Sequence, residues 1–168
     1  MKRRTPQPII EVPASATDLV VEAVALVGLA ASIAVLIWAW PILPERIPTH
    51  FDFWGRPDGL GPKSSLFYLI GATLFGYVLL TVLNMFPHIF NYPVRITEEN
   101  APRQYAIAVS ALRWLKLEIV WLIAYTEWAA IQTALGKARG MNPWSSPLML
   151  AVLLATVAVL FIRAYRAK

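Results

Sequence analysis

One polar segment of the chain concentrates the residue types that bind ligands. Residues 41–63 contain His50, Asp52 and Asp58 together with five prolines and three glycines. Imidazole and carboxylate groups are suitable zinc ligands, and Glu45 is a further candidate. However, His50 and Asp52 are two residues apart in an irregular loop, and no second histidine is near in sequence. We therefore predict no metal site.

Two other uses of these side chains remain. In a structural use, His50 donates hydrogen bonds to backbone carbonyls and fixes the turn, while Asp58 caps the next turn. In a functional use, the segment recognises a peptide, a lipid or a partner protein. Recognition is the working hypothesis, and the predicted binding residues are His50, Asp52, Trp54, Arg56 and Asp58.

The rest of the chain has the composition of a membrane protein. Of 168 residues, 58% are hydrophobic and 15% are charged, whereas a soluble domain is about half apolar and about a quarter charged. The chain has no cysteine, which excludes disulfides and thiolate metal sites. The net charge of +5 does not indicate nucleic-acid binding, because the basic residues lie at the ends of the apolar segments rather than on one face.

Four segments are expected to cross the bilayer. The first is long enough to do so, since about 20 helical residues span the ~30 Å hydrocarbon core. We expect an all-α integral membrane protein, with a cytosolic tail over residues 1–18 and a single membrane domain over residues 19–168. The predicted spans are residues 19–40, 66–86, 105–135 and 147–162.

The first span has signals at its start and on one face. Asp18 is expected to cap the helix. Gly28 and Ser32 are four residues apart and small, which predicts a close contact with another helix.

The third span differs from the others because it contains four charged residues. Arg113 and Lys116 are expected to extend to the lipid headgroups, which leaves Glu118 and Glu127 as intramembrane ionisable groups. A carboxyl group at that depth needs a partner or becomes neutral, so Glu127 has either a structural role or a role in proton relay. The expected partners of Glu127 are Lys63, Arg46 and His50.

The distribution of positive charge predicts the orientation. With a cytosolic N-terminus, eight to ten lysines and arginines lie inside and five lie outside. Because cytoplasmic loops are enriched in these residues, we expect both termini in the cytosol and the segment 41–63 on the outer side.

The same segment has a recognisable order of residues. It resembles a bacterial membrane-protein domain of unknown function that is found in immunity proteins against the sporulation-delaying toxin, and the resemblance covers roughly residues 25–70. In that family the loop follows the first membrane helix, as it does here. The resemblance implies a multi-pass protein of the bacterial cytoplasmic membrane and an immunity-type role. The residues that match are Leu43-Pro44, Ile47-Pro48, His50-Phe51, Gly55, Pro57-Asp58 and Lys63.

The chain lacks the local motifs of phosphate-binding loops, nucleophile elbows and zinc-binding helices. We therefore predict a small membrane protein that binds rather than catalyses, with no cofactor and with the outer loop as a receptor or immunity-type surface. The alternative is an accessory structural subunit of a larger membrane complex. A third and weaker hypothesis is a carrier of protons or small solutes. The predicted partners are the lipid bilayer and either an envelope peptide or a larger complex.

Overall fold

The computed structural model describes residues 7–168, so the first six residues of the expected cytosolic tail lie outside it. Four helices and one short antiparallel sheet follow each other along the chain. Their order is α1 (Ala16–Ala39), β1 (Arg46–Phe51), β2 (Pro57–Pro62), α2 (Ser65–Leu83), α3 (Ala101–Ala134) and α4 (Ser145–Arg166). Four predicted helices are thus found, whereas the sheet was not expected in an all-α protein.

The helix α1 begins with a capping box. The Ser15 hydroxyl accepts a hydrogen bond from the backbone N–H of Asp18, and the Asp18 carboxylate accepts one from the backbone N–H of Ser15. These two contacts satisfy donors that the first turn leaves without helical partners. The expectation that Asp18 is the cap is wrong, because Asp18 is the third helical residue and Ser15 is the cap.

Three stretches are long and apolar enough to cross a membrane: Ala16–Ile42, Ser65–Leu83 and Ser145–Arg166. This finding indicates a multi-pass membrane protein. The helix α3 is not among these stretches, in keeping with the five charged residues along its length.

The helix α3 occupies the centre of the bundle and packs against the other three helices, whereas α4 packs mainly on α3. It approaches α1 closely at Gly28, where an added Cβ would lie 2.9 Å from Trp121 Nε1 and 3.0 Å from Val120 Cγ1. The predicted close contact of α1 is therefore confirmed. Helices α1 and α3 run parallel, since Asp18 contacts Arg113 and Ser32, farther along α1, contacts Glu127.

The segment expected to be an irregular loop is a β-hairpin, residues 46–62. Strands β1 and β2 pair from Arg46 opposite Pro62 to Phe51 opposite Pro57, with irregular register around His50. Prolines are tolerated because a two-stranded sheet has free edges, where a missing N–H breaks no ladder hydrogen bond.

The hairpin is anchored to one end of the bundle at two places. Near its base, Ile47 is fully buried in a cluster with residues of α1, α2 and α3. At its tip, the carbonyl of Gly55 accepts a hydrogen bond from the backbone N–H of Met141, at 2.8 Å, in the α3–α4 connection. Gly55 has a φ of 79°, and an added Cβ would lie 2.7 Å from the Met141 carbonyl oxygen, so glycine is required there.

Candidate functional site

An acid and a base face each other across the hairpin. His50 Nδ1 donates to Asp58 Oδ1 at 2.5 Å, and the two side chains are 71% and 47% exposed. Gly59, the register partner of His50, makes room for this contact, because an added Cβ would lie 3.0 Å from His50 Cβ. The structural use predicted for these residues is wrong in both parts. The His50 ring bonds to a carboxylate rather than to backbone carbonyls, and Asp58 pairs with His50 rather than capping a turn.

Asp52 is the residue that holds the turn between the strands. Its Oδ1 accepts hydrogen bonds from the backbone N–H groups of Trp54, at 2.9 Å, and Arg56, at 2.8 Å. Its backbone carbonyl also accepts from Gly55 N at 2.9 Å. A carboxylate that accepts from the backbone N–H two residues on forms an Asx turn, so Asp52 positions the hairpin tip.

The tip presents two aromatic rings and a cation. Phe53 and Trp54 form an edge-to-face pair with ring centroids 5.3 Å apart, and the two residues are 52% and 54% exposed. Arg56 is exposed beside them. Exposed aromatic and arginine side chains are the residue types that most often dominate binding energy. We refer to His50, Phe53, Trp54, Arg56 and Asp58 as the hairpin surface.

Metal binding has no support from the geometry of this surface. Within residues 7–168 no group of three or more histidine, aspartate or glutamate side chains is arranged to hold a metal ion. At the base of the hairpin, Glu45 forms an ion pair with Lys63 at 3.0 Å instead. Lys63 Nζ also lies 5.0 Å from the ring centroid of Trp40, a cation–π contact.

The carboxyl group of Glu127 is fully buried between α1 and α3. It accepts a hydrogen bond from the Ser32 hydroxyl, and its other oxygen has no partner among the described residues. The expected partners are wrong, because Lys63 pairs with Glu45 and His50 with Asp58, and Arg46 donates to the Leu60 carbonyl. Within the described chain no cation pairs with Glu127, which favours the neutral acid.

A second polar cluster joins three helices nearer the start of α1. Lys116 is 1% exposed, and its Nζ lies 2.7 Å from Glu22 Oε1 and 2.8 Å from Thr81 Oγ1. The hydroxyl group of Tyr77, in α2, donates a hydrogen bond to Glu22, and the Tyr77 ring centroid lies 4.4 Å from Lys116 Nζ. The ammonium group is therefore bound inside the bundle, and the expectation that Lys116 extends to the headgroups is wrong.

Two further charged residues of α3 also contact neighbouring helices. Arg113 pairs with Asp18 at 3.2 Å rather than extending to the headgroups. Glu118 accepts a hydrogen bond from Thr156 Oγ1 of α4 at 2.5 Å.

Sequence reasoning missed the ion pairs between α1 and α3, although their signal is present. The acids of α1 lie four residues apart, at 18 and 22, and the bases of α3 lie three residues apart, at 113 and 116. Both spacings place two charges on one helix face. Two parallel helices with such faces can form two ion pairs together.

Residues 27–83, about a third of the chain, match the model of a domain of unknown function, DUF1648. The matched segment contains the second half of α1, the whole hairpin and the whole of α2. No curated protein and no solved structure matches the chain.

Proposed function

We propose that the protein acts by binding, with the hairpin surface as a receptor or immunity-type site for an envelope peptide. The observation that supports this proposal is the combination of a fixed backbone with exposed side chains. Ile47 anchors the base and Gly55 anchors the tip, while the acid–base pair and both aromatic rings stay accessible. A preorganised surface loses less conformational entropy on binding.

The proposed setting is the bacterial cytoplasmic membrane, with α3 as a fourth span and both termini in the cytosol. Because α1 and α3 run parallel, α1, α2 and α3 can form three alternating crossings, and α4 is then the fourth. An even number of crossings leaves both termini on the same side of the membrane. Contacts with other helices support burial of the charged residues of α3, because intramembrane charges require partners in the bundle. Exposed Trp38 and Trp144 near the hairpin end support an interface there, and the excess of positive charge at the opposite end supports the orientation.

The immunity-type role draws on the resemblance of the hairpin segment to the domain found in immunity proteins against the sporulation-delaying toxin, while the match over residues 27–83 is to a domain of unknown function. That segment includes the whole hairpin surface. In this reading the aromatic pair and Arg56 bind a membrane-active peptide before it enters the bilayer.

Site-specific photo-crosslinking tests the proposal. A benzoylphenylalanine at position 53 should give one discrete adduct in cells that express the protein, and Asp58→Ala should lower its yield about tenfold, the effect of about 1.4 kcal/mol in binding. The matched control has the crosslinker at position 144, which is exposed at the same end but outside the hairpin. Equal adducts at both positions, or a yield unaffected by Asp58→Ala, would contradict a specific surface.

A challenge experiment tests the immunity reading separately. A bacterium sensitive to the sporulation-delaying toxin should survive when it expresses the protein and should lose protection with Trp54→Ala, at equal protein levels. Trp144→Ala should keep protection. If crosslinking depends on Asp58 but the protein does not protect the cells from the toxin, the result would support a receptor and reject an immunity role.

The alternative proposal of an accessory subunit is favoured by one observation on α4. Among its described residues only Ala164 is buried, although the helix is long and apolar enough to span a membrane. Purification from native membranes in mild detergent should then yield a second protein at fixed stoichiometry. A lone, monodisperse protein would argue against this alternative.

A further inference from the structure

A groove between α3 and α4 has an apolar wall and a cationic end. Its volume is about 350 Å³, and its lining includes Trp114 of α3 together with Val152, Ala155 and Val159 of α4. Arg163, in the last turn of α4, belongs to the same lining. Because the hairpin tip contacts the α3–α4 connection, which precedes α4, Arg163 marks the end of the groove that lies farthest from the hairpin.

The guanidinium group of Arg163 has no countercharge in the protein. Arg163 is exposed, and none of the ion pairs among residues 7–168 includes it. Arg166 is also exposed and lies three residues later, on the same side of α4. Within the described chain it too forms no ion pair. Since arginine binds phosphate oxygens through two parallel N–H donors, this end of the groove is complementary to a phosphate group.

The acid in the lining of the groove lies at a different depth. Glu118 accepts a hydrogen bond from Thr156 Oγ1 at 2.5 Å, and its other carboxyl oxygen is buried in the protein. Thr156 precedes Arg163 by seven residues, which is about 10 Å along a helix. An anion bound at Arg163 is therefore about two helical turns away from this carboxyl group.

The last carbonyl groups of α4 are also satisfied. The C-terminal carbonyls of a helix carry partial negative charge, which disfavours a nearby anion. Here the amide nitrogen of Gln104 donates hydrogen bonds to the carbonyl oxygens of Ala164, at 2.9 Å, and Ala167, at 3.0 Å. These two bonds reduce the repulsion that an anion would meet at this end of α4.

The length of the groove matches one leaflet of a bilayer. Eleven residues separate Val152 from Arg163, which is about 16 Å along a helix. One leaflet contributes about 15 Å, half of the ~30 Å hydrocarbon core. Since α4 is among the stretches able to cross a membrane, a lipid whose phosphate lies at Arg163 has its acyl chain beside the apolar wall.

We propose that this groove binds an anionic phospholipid, with the phosphate group on Arg163 and one acyl chain between α3 and α4. Basic pockets between membrane helices bind anionic headgroups in this way. A zwitterionic lipid carries a cation beside its phosphate, and Arg163 and Arg166 repel that cation. The groove therefore favours a lipid with net negative charge, and its role is independent of the hairpin surface.

Two lipids with identical acyl chains test the headgroup. Dioleoylphosphatidylglycerol and dioleoylphosphatidylcholine are each titrated into the delipidated full-length protein and followed by native mass spectrometry. We expect the anionic lipid to bind about tenfold more tightly, equivalent to about 1.4 kcal/mol. Arg163→Gln should remove this preference, and Arg163→Lys should retain part of it because the charge remains.

Arg95→Gln is the matched control for the headgroup. It replaces an exposed arginine of the α2–α3 loop that does not line the groove, so the preference for the anionic lipid should be unchanged. Equal affinities of the two lipids for the native protein would overturn the proposal. Equal losses in Arg163→Gln and Arg95→Gln would also overturn it, because they would show a general effect of surface charge.

Groove-filling variants test the position of the acyl chain. Ala155→Leu fills this groove, whereas Ala108→Leu fills a neighbouring cavity that Ala155 does not line. We expect Ala155→Leu to weaken binding of dioleoylphosphatidylglycerol at least about tenfold, and Ala108→Leu to leave it unchanged. Val159→Phe narrows the same groove and provides a second variant if Ala155→Leu does not fold. Unchanged binding in the groove-filling variants would overturn the proposal.

The same spectra distinguish a lipid from other occupants of the groove. Glycerophosphoglycerol has the same headgroup without acyl chains, and it should not bind at concentrations that saturate the protein with the lipid. If it binds as tightly as the lipid, the site is one for soluble phosphate esters and the proposal fails. A dimer that Ala155→Leu dissociates would place a second copy of the chain in the groove and would likewise overturn it.

Discussion

Two acid–base pairs of this protein have similar distances and opposite surroundings. His50 and Asp58 are 2.5 Å apart on the exposed hairpin, while Lys116 and Glu22 are 2.7 Å apart with side chains 1% and 26% exposed. An exposed pair contributes little to stability, because water and salt screen it and its side chains lose entropy. A buried pair must remain intact, because either partner alone is an uncompensated charge. We infer that the buried pair maintains the bundle and that the exposed pair is available for binding.

The largest expected effect comes from breaking the buried pair on one side. Glu22→Leu leaves the ammonium group of Lys116 without its countercharge, and such losses cost about 3–5 kcal/mol. We expect that decrease in the free energy of unfolding, measured by reversible unfolding in mixed detergent micelles.

The double variant Glu22→Leu with Lys116→Met is the control for this prediction. It removes both charges, so most of the lost stability should return. If the double variant is as unstable as the single one, the loss comes from packing rather than from an isolated charge.

A smaller effect is expected where the hairpin tip meets the bundle. Gly55→Ala forces a side chain into a positive φ and against the Met141 carbonyl, while Gly136→Ala introduces only the backbone strain, since nothing lies within 4 Å of the added Cβ. Backbone strain of this kind costs about 1–3 kcal/mol. We expect hydrogen exchange at the Met141 amide to accelerate in Gly55→Ala and to stay slow in Gly136→Ala.

Unchanged exchange in both variants would mean that the tip is not held by this contact. The hairpin surface would then lack the preorganisation on which the proposed function depends. The exposed pair would then lie on a hairpin whose tip is not fixed to the bundle.

The helices and the hairpin also differ in how far the sequence predicts them. The four helices follow from the apolar segments of the sequence, and Gly28 predicts a close contact of α1 with another helix. The hairpin was missed because Pro48, Pro57 and Gly59 argue against strands. Its burial at Ile47 depends on contacts with three helices, which no local pattern contains.

The partners of the charged residues were missed for a related reason. A hydropathy pattern indicates that Lys116 and Glu127 are unusual in a span, but it does not give the register between helices. That register places Lys116 beside Glu22 and Glu127 beside Ser32. The charge spacing on α1 and α3 predicts such pairs only once the two helices are known to be parallel neighbours.

Glu127 is a third case, a buried acid that has no basic partner among residues 7–168. If it is neutral, Glu127→Gln keeps the shape and the hydrogen bond from Ser32, and the free energy of unfolding should change by less than about 1 kcal/mol. Glu127→Leu removes the acceptor from Ser32 and should cost more, about 1–3 kcal/mol. Unfolding of both variants at neutral pH gives the comparison, and a Gln variant as unstable as the Leu variant would contradict a neutral acid.

The smallest effect on stability is expected at the exposed pair. His50→Ala and Asp58→Ala should each change the free energy of unfolding by no more than about 1 kcal/mol, the usual limit for an exposed pair, and added salt should reduce the difference further. The same variants should lower the yield of the crosslink from position 53 about tenfold if the hairpin surface binds a ligand. A large loss of stability in either variant would make the pair a structural element like Lys116 and Glu22, because loss of binding would then follow from loss of the hairpin itself.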